Sequence, residues 1–258
     1  MNKYLRLMRL DKPVGIYLLL WPTLWALFLA RGGLPDFDLL LIFVFGTVLM
    51  RSAGCVINDF ADRKIDGLVA RTAKRPLAAG EISSKNALKL LAILIFLALG
   101  LVLLTNFLTI CLAFIAGVLT LIYPFSKRWT QLPQVILGLA FALSVPMAFA
   151  ATNGFVAVSA WWIFAAAVVW TVIYDTIYAM ADRAEDLKIG VKSSAILFAK
   201  YDKLIIGLLQ ILLLFLLIKI SIIFNLGIFY YISLIFSLFL MIYHQKLIKP
   251  LKSSSGRQ

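Results

Sequence analysis

Stretches of almost wholly apolar residues, each long enough to cross a bilayer, follow one another along nearly the whole chain: 14–31, 38–57, 86–104, 107–124, 132–150, 159–179, 203–219 and 225–243. A helix needs about 20 such residues to traverse the hydrocarbon core. Backbone in lipid must satisfy its own hydrogen bonds, so an all-α, polytopic membrane helix bundle of about eight transmembrane helices is predicted. Composition points the same way. The 258 residues are 63% hydrophobic and 14% charged, too apolar for a soluble domain with a polar surface. One transmembrane domain over 1–248 is expected, followed by a polar tail, "KPLKSSSGRQ" at 249–258, expected to be disordered.

The net charge of +13 raises the possibility of a nucleic-acid partner, but the distribution of the charge answers it. If the N terminus is cytoplasmic, Arg31 and Lys219 are the only basic residues on the opposite side, and Arg51 and Lys89 lie within or at the edge of spans. Every other one of the 25 Lys and Arg falls on the N-terminal side, the bias that cytoplasmic loops carry. The reading is an inner-membrane protein with a cytoplasmic N terminus, a bilayer as partner, and no nucleic acid. The run after Lys3, Arg6, Arg9 and Lys12 exceeds a usual signal-peptide core and is read as a retained first span. Trp21, Trp25, Trp129, Trp161 and Trp162 near span ends suit an interfacial belt. Cys55 and Cys111 read as small core residues, and a single histidine, His244, gives no support to zinc chemistry or a Ser/His/Asp triad.

Two acidic segments interrupt this pattern. "NDFADRKID" at 58–66 spaces Asn58, Asp62 and Asp66 at i, i+4, i+8, which on a helix continuing from the second span places them on one face, with Asp59 to the side. In "YDTIYAMADRAED" at 174–186, Asp175, Asp182 and Asp186 likewise return to one face, with Tyr178 a turn from Asp175 and Asp182. The plainer reading of either segment alone is a solvated loop. Against it, each begins before its apolar run has ended, where a central Asp costs about 2.5–3.5 kcal/mol and less near the interface. Both segments follow spans that end on the same side, so they can face one cavity, and so many acids require a cation. Carboxylates and an amide suit magnesium, which is usually shared with substrate phosphates. A diphosphate is therefore the expected substrate group, and Arg71, Arg75 and Arg128 the preferred anion binders, because guanidinium holds phosphate or carboxylate in a fixed fork.

These segments, with "RLDKPVG" at 9–15, "MRSAGCVINDFADRKIDG" at 50–67, "RTAKRPL" at 71–77, "YPFSKR" at 123–128, "LPQ" at 132–134 and "YDTIYAMADRAEDLKIGVKSSAILF" at 174–198, resemble the intramembrane prenyltransferases of the UbiA superfamily. "YPFSKR" and "LPQ" are most similar to the branch that prenylates 4-hydroxybenzoate. The resemblance implies a central cavity open to lipid and transfer of a polyprenyl group from polyprenyl diphosphate to the ring carbon ortho to the hydroxyl of 4-hydroxybenzoate, in ubiquinone synthesis. It also implies roles. Asn58, Asp62 and Asp66 would hold Mg2+, with Asp182 and Asp186 holding a second ion or positioning the first. Arg71, Arg75 and Lys188 would bind diphosphate, Arg128 the aromatic carboxylate with Lys127 assisting, and Tyr178 and Tyr123 would stabilise the allylic cation by a ring face or the diphosphate by a hydroxyl. Asp182 could instead serve as the base, and Asp59 and Asp175 are left without a firm role.

Family members typically have nine spans, whereas eight are counted here, with the match expected to stop near "YHQKLI" at 243–248. A secondary transporter, with Asp66 and Asp186 in corresponding positions of two halves, is the rival from another class. Haem, naphthoate and homogentisate are the rival acceptors.

Overall fold

The computed structural model describes residues 2–69 and 71–248. The tail at 249–258, expected to be disordered, lies outside the described residues. The elements are helices α1 (Lys3–Leu7), α2 (Val14–Arg31), α3 (Phe37–Asp62), α4 (Ser84–Val102), α5 (Phe107–Ser126), α6 (Pro133–Ala142), α7 (Ser144–Asn153), α8 (Val158–Met180), α9 (Arg183–Ile189), α10 (Ser194–Phe198), α11 (Asp202–Ile223) and α12 (Ile228–Leu247), plus two short 3-10 turns. Among the described residues there is no strand, and eight helical segments are long and apolar enough to cross a membrane. The chain is a multi-pass membrane protein.

Local chemistry sets the helix ends. Ser83 and Asn106 accept from the backbone N–H groups of Asn86 and Thr109, capping α4 and α5. Gly32 and Gly154 take the left-handed conformation that ends α2 and α7, at φ 70° and 79°. The fifth span is one apolar run in the sequence but two helices in the structure. Pro146 has no N–H for the carbonyl of Ala142, and the helix breaks between α6 and α7 at Leu143.

Two cores hold the bundle. The larger gathers Leu27 of α2, Phe43 of α3, Val145 and Phe149 of α7, Ile163 and Ile173 of α8, and Ile206 and Leu217 of α11. The smaller sits at the charged face, the side with the N terminus and the long connections. There Leu7 of α1, fully buried, meets Val56 and Ile57 of α3, Leu77 and Ile82 of the following connection, and Leu91 and Leu94 of α4. No residue of α12 is fully buried: Leu234 and Met241 pack against the larger core, and most of its remaining apolar surface is left to lipid, which is as apolar as its side chains.

Both acidic segments depart from the expected continuous helices. Helix α3 ends at Asp62, and Asp66 opens a 3-10 turn over Asp66–Leu68. Helix α8 ends at Met180, Asp182 stands at the N-cap of α9, and Asp186 lies in the first turn of α9. The physical reason is shared. Acids stacked on one face at a helix C-terminus repel each other and meet the negative end of the dipole, whereas a break re-aims them. In α9 the acids gain from the break, since Glu185 and Asp186 now occupy a helix N-terminus.

Candidate active site

A single cavity of about 1250 Å³ runs between the helices. Its wall changes character along its length. At the charged face it is lined by Asn58, Asp62, Asp66, Asp182 and Asp186, with Arg71, Arg75 and Lys127. Further in, Ile42, Phe43, Leu99, Val102, Phe114 and Val118 make it apolar. Such a shape suits a ligand with an anionic head and a long hydrocarbon tail.

The acids and cations at the charged face are matched. The Arg75 guanidinium donates to both Asp66 oxygens at 2.9 and 2.8 Å and lies 3.3 Å from Asp59. Asp59 also accepts from Arg9 at 2.6 Å. The Lys127 ammonium pairs with Asp62 Oδ2, and Arg71 with Asp182 at 2.8 Å. The Arg71 guanidinium also lies over the Tyr178 ring, 4.5 Å from its centroid. Burial raises the pKa of Asp66, opposed by Arg75. Burial also pushes Asp186 up to about 6, helped by the neighbouring Asp182 carboxylate.

Asp62 Oδ1 is buried without a hydrogen-bond partner, and an orphaned carboxylate oxygen in a wall of acids and an amide fits a hard divalent cation. The chemistry of these donors suits magnesium, but among the described residues no group of three or more His, Cys, Asp or Glu side chains is drawn together as a metal site, and the Asp62 oxygen is the open donor that speaks for one.

Of the residues singled out in the sequence, Asn58, Asp62, Asp66, Arg71, Arg75, Lys127, Tyr178, Asp182 and Asp186 all reach the cavity. Two do not. Arg128 is turned away: its Nη2 donates to the Ala61 carbonyl at 2.9 Å and its guanidinium lies against the Phe125 ring. Lys188 is exposed in the last turn of α9, where its charge favours the helix C-terminus, and it does not line the cavity. In their place stands Arg51, inside α3 and on the cavity wall, a residue counted in the sequence only for its bearing on orientation. Its Nη1 donates to Cys55 Sγ, and a Cβ at Gly15 would come within 2.4 Å of its guanidinium, so glycine there makes room for the arginine. The available signal was an arginine within an apolar run, seven residues and so two turns before Asn58.

The model of the UbiA prenyltransferase family matches residues 19–258. The chain belongs to the UbiA prenyltransferase family. Among its relatives, 4-hydroxybenzoate octaprenyltransferase of Vesicomyosocius okutanii is 68% identical over 94% of this chain and 89% of that protein. The enzyme of the same description from Coxiella burnetii strain RSA 493 is 55% identical over 98% and 88%. Among solved structures, a UbiA homologue from Aeropyrum pernix K1 superposes with a TM-score of 0.81 at 26% identity, covering 90% of this chain and 87% of that one. A UbiA homologue from Archaeoglobus fulgidus, bound to GPP and Mg2+, has a TM-score of 0.77 at 19% identity, covering 96% and 87%, which speaks for a shared UbiA fold.

Proposed function

We propose that this UbiA-family protein transfers a polyprenyl group from polyprenyl diphosphate to the ring carbon ortho to the hydroxyl of 4-hydroxybenzoate, a step of ubiquinone synthesis. The observation that carries the reading is the two-ended cavity, whose carboxylates and cations meet at the charged face while its far wall is apolar. The names of the relatives at 55–68% identity support the same acceptor and donor class. We assign the charged face to the cytoplasmic side of a bacterial inner membrane, a reading supported by the gathering of Lys and Arg on that side.

Asn58, Asp62, Asp66 and Asp186 would hold magnesium, which when bound would supply Lewis-acid chemistry at the departing diphosphate, and Asp182 is kept for the base. Arg71, Arg75 and Lys127 are at present paired with three of those carboxylates. With a cation bound at the acids, the same three side chains would be free to take diphosphate oxygens. The allylic C–O bond breaks with its electron pair leaving on the diphosphate. The ring carbon then forms the C–C bond, and the ring proton it loses passes to Asp182, the carboxylate we assign as base. The apolar wall excludes water that would otherwise capture the cation. Tyr178 presents a ring face at the same end of the cavity. Arg51 is the guanidinium within the membrane part of the cavity, and we assign it, in place of Arg128, to the carboxylate of 4-hydroxybenzoate.

Membranes containing the full chain, given an allylic diphosphate and labelled 4-hydroxybenzoate, should form prenylated product only with magnesium, and an Asp182→Ala chain should form almost none. Magnesium-independent product, or equal product from the variant, would refute the reading.

A further inference from the structure

The "RLDKPVG" segment is not explained by the chemistry above, and its first residue is unusual in two ways. Arg9 is one of three non-glycine residues with positive φ among the described residues, at 56°, a left-handed conformation that side chains rarely adopt without compensation. Its guanidinium is spent on Asp59, a carboxylate only 1% exposed that does not line the cavity. Asp59 thus contacts neither substrate head nor metal acids, yet it is held between Arg9 at 2.6 Å and Arg75 at 3.3 Å. Arg75 in turn holds Asp66. The four side chains form one chain of alternating charge, Arg9, Asp59, Arg75, Asp66, in which Arg9, Arg75 and Asp66 reach the cavity wall and Asp59 lies behind it.

The N-terminal strap is anchored to the connection that carries Arg71 and Arg75. Arg6 donates to both Glu81 oxygens and to the Lys74 carbonyl, Lys3 donates to the Glu81 carbonyl, and Leu7 is fully buried beside Leu77 and Ile82. The turn after α1, with Arg9 in its strained conformation, then directs the guanidinium onto Asp59.

We propose that Arg9 is a positioning residue: by neutralising Asp59 it leaves Arg75 directed at Asp66 and the diphosphate site. The argument is one of charge. A buried carboxylate with a single partner binds it far more tightly than one with two, because an unanswered buried charge costs several kcal/mol. Without Arg9, Asp59 has only Arg75 to answer it, and Arg75 is drawn off Asp66. The proposal rests on the reading of the cavity head as a magnesium and diphosphate site.

The test is a double-mutant cycle on the purified full chain, with initial rates taken separately against polyprenyl diphosphate and 4-hydroxybenzoate. Arg9→Met should raise the KM for the diphosphate substrate about tenfold and leave the KM for 4-hydroxybenzoate within about twofold. Arg9→Lys should recover part of the loss. Arg9→Met combined with Asp59→Asn should recover most of it, because the pull on Arg75 is gone. Asp59→Asn alone should be mild, which sets it apart from a change at a metal ligand. If Arg9→Met does not fold, Arg9→Lys and the double variant carry the comparison. Equal rises in both KM values, or a double variant no better than Arg9→Met, would overturn the proposal. A second readout separates this from failure of the functional reading: thermal stabilisation by inorganic pyrophosphate with magnesium. Wild type stabilised by that pair without prenyl transfer to 4-hydroxybenzoate would remove the acceptor assignment, while a higher pyrophosphate requirement in Arg9→Met would still uphold the role of Arg9. A wild-type protein not stabilised by the pair, or one with the same requirement as the variant, would reject the role of Arg9.

Discussion

The two acidic segments look alike in the sequence and are built differently in the structure. In the first, the carboxylates are sealed: Asp59, Asp62 and Asp66 are 1%, 3% and 5% exposed, and each is held by a cation from another element. In the second, the Asp182 side chain is 23% exposed, its partner Arg71 is 41% exposed, and Asp186 is half-buried without an ion pair among the described residues. The first segment lies within a long, packed helix and the turn after it. The second straddles a break between α8 and the seven-residue α9. The difference teaches a division of labour. The acids of the first motif are buried and paired as they stand, and on the reading proposed above the second motif is the more open side, at which metal and diphosphate would be received.

Substitution in the sealed motif should therefore do the most damage. Asp62→Asn removes a metal donor and leaves Lys127 facing a neutral amide, so kcat/KM is expected to fall on the order of 100-fold or more, read from initial rates at saturating magnesium. If Asp186→Asn proved as costly as Asp62→Asn, the asymmetry would be wrong. Next in size is Arg51→Met, which removes one charge-assisted hydrogen bond and should raise the KM for 4-hydroxybenzoate about tenfold while sparing that for the diphosphate. The same substitution at Arg128 should leave both values near wild type, because its guanidinium faces the Ala61 carbonyl.

Asp186 sharpens the comparison through stability. Its folded-state pKa of about 6 lies above the usual 3.8, so the fold favours the protonated form. The stabilising contribution of the protonated acid is present at low pH and is lost as pH rises from about 4 through 6. At neutral pH the folded chain carries an unfavourable carboxylate there. Asp186→Asn should consequently raise the Tm of the ligand-free protein by about 2 °C while lowering activity. A sealed, paired acid such as Asp62 should do the reverse, losing stability as well as activity when neutralised.

How much of this was legible in the sequence follows from which kind of signal each feature leaves. Membrane-length apolar runs report spans directly, and all eight were placed, because hydrocarbon thickness leaves little freedom. Spacing alone also brought the acids to one cavity. What spacing could not report were the helix breaks at Asp62 and Ala181, since acids at i, i+4 read as one continuous face whether or not the helix persists. Nor could it choose among cations. Arg128, in a connection, and Lys188, in the short helix α9, sit beside the motifs at the face where the basic bias supplies arginines and lysines regardless of function. Arg51, which we propose for the acceptor carboxylate, was passed over because residues inside apolar runs were counted as scaffold, although an arginine there is the costlier placement.

The smallest expected effect lies at Tyr178, and it bears on whether the more open side contributes through its ring or its hydroxyl. The tyrosine is 60% exposed, and the Arg71 guanidinium lies over its ring 4.5 Å from the centroid while the same guanidinium pairs with Asp182. The ring therefore helps to fix one of the three cations proposed to leave an acid when diphosphate binds. Tyr178→Phe keeps the aromatic face and should hold kcat/KM within about twofold. Tyr178→Leu removes it, at about 0.5–1 kcal/mol for an exposed cation–π contact, and should cost roughly three- to fivefold, chiefly in the KM for the diphosphate substrate. If the phenylalanine variant lost as much as the leucine variant, the hydroxyl rather than the ring would be the working group, and the second motif would act there through hydrogen bonding instead of through a loosely held arginine.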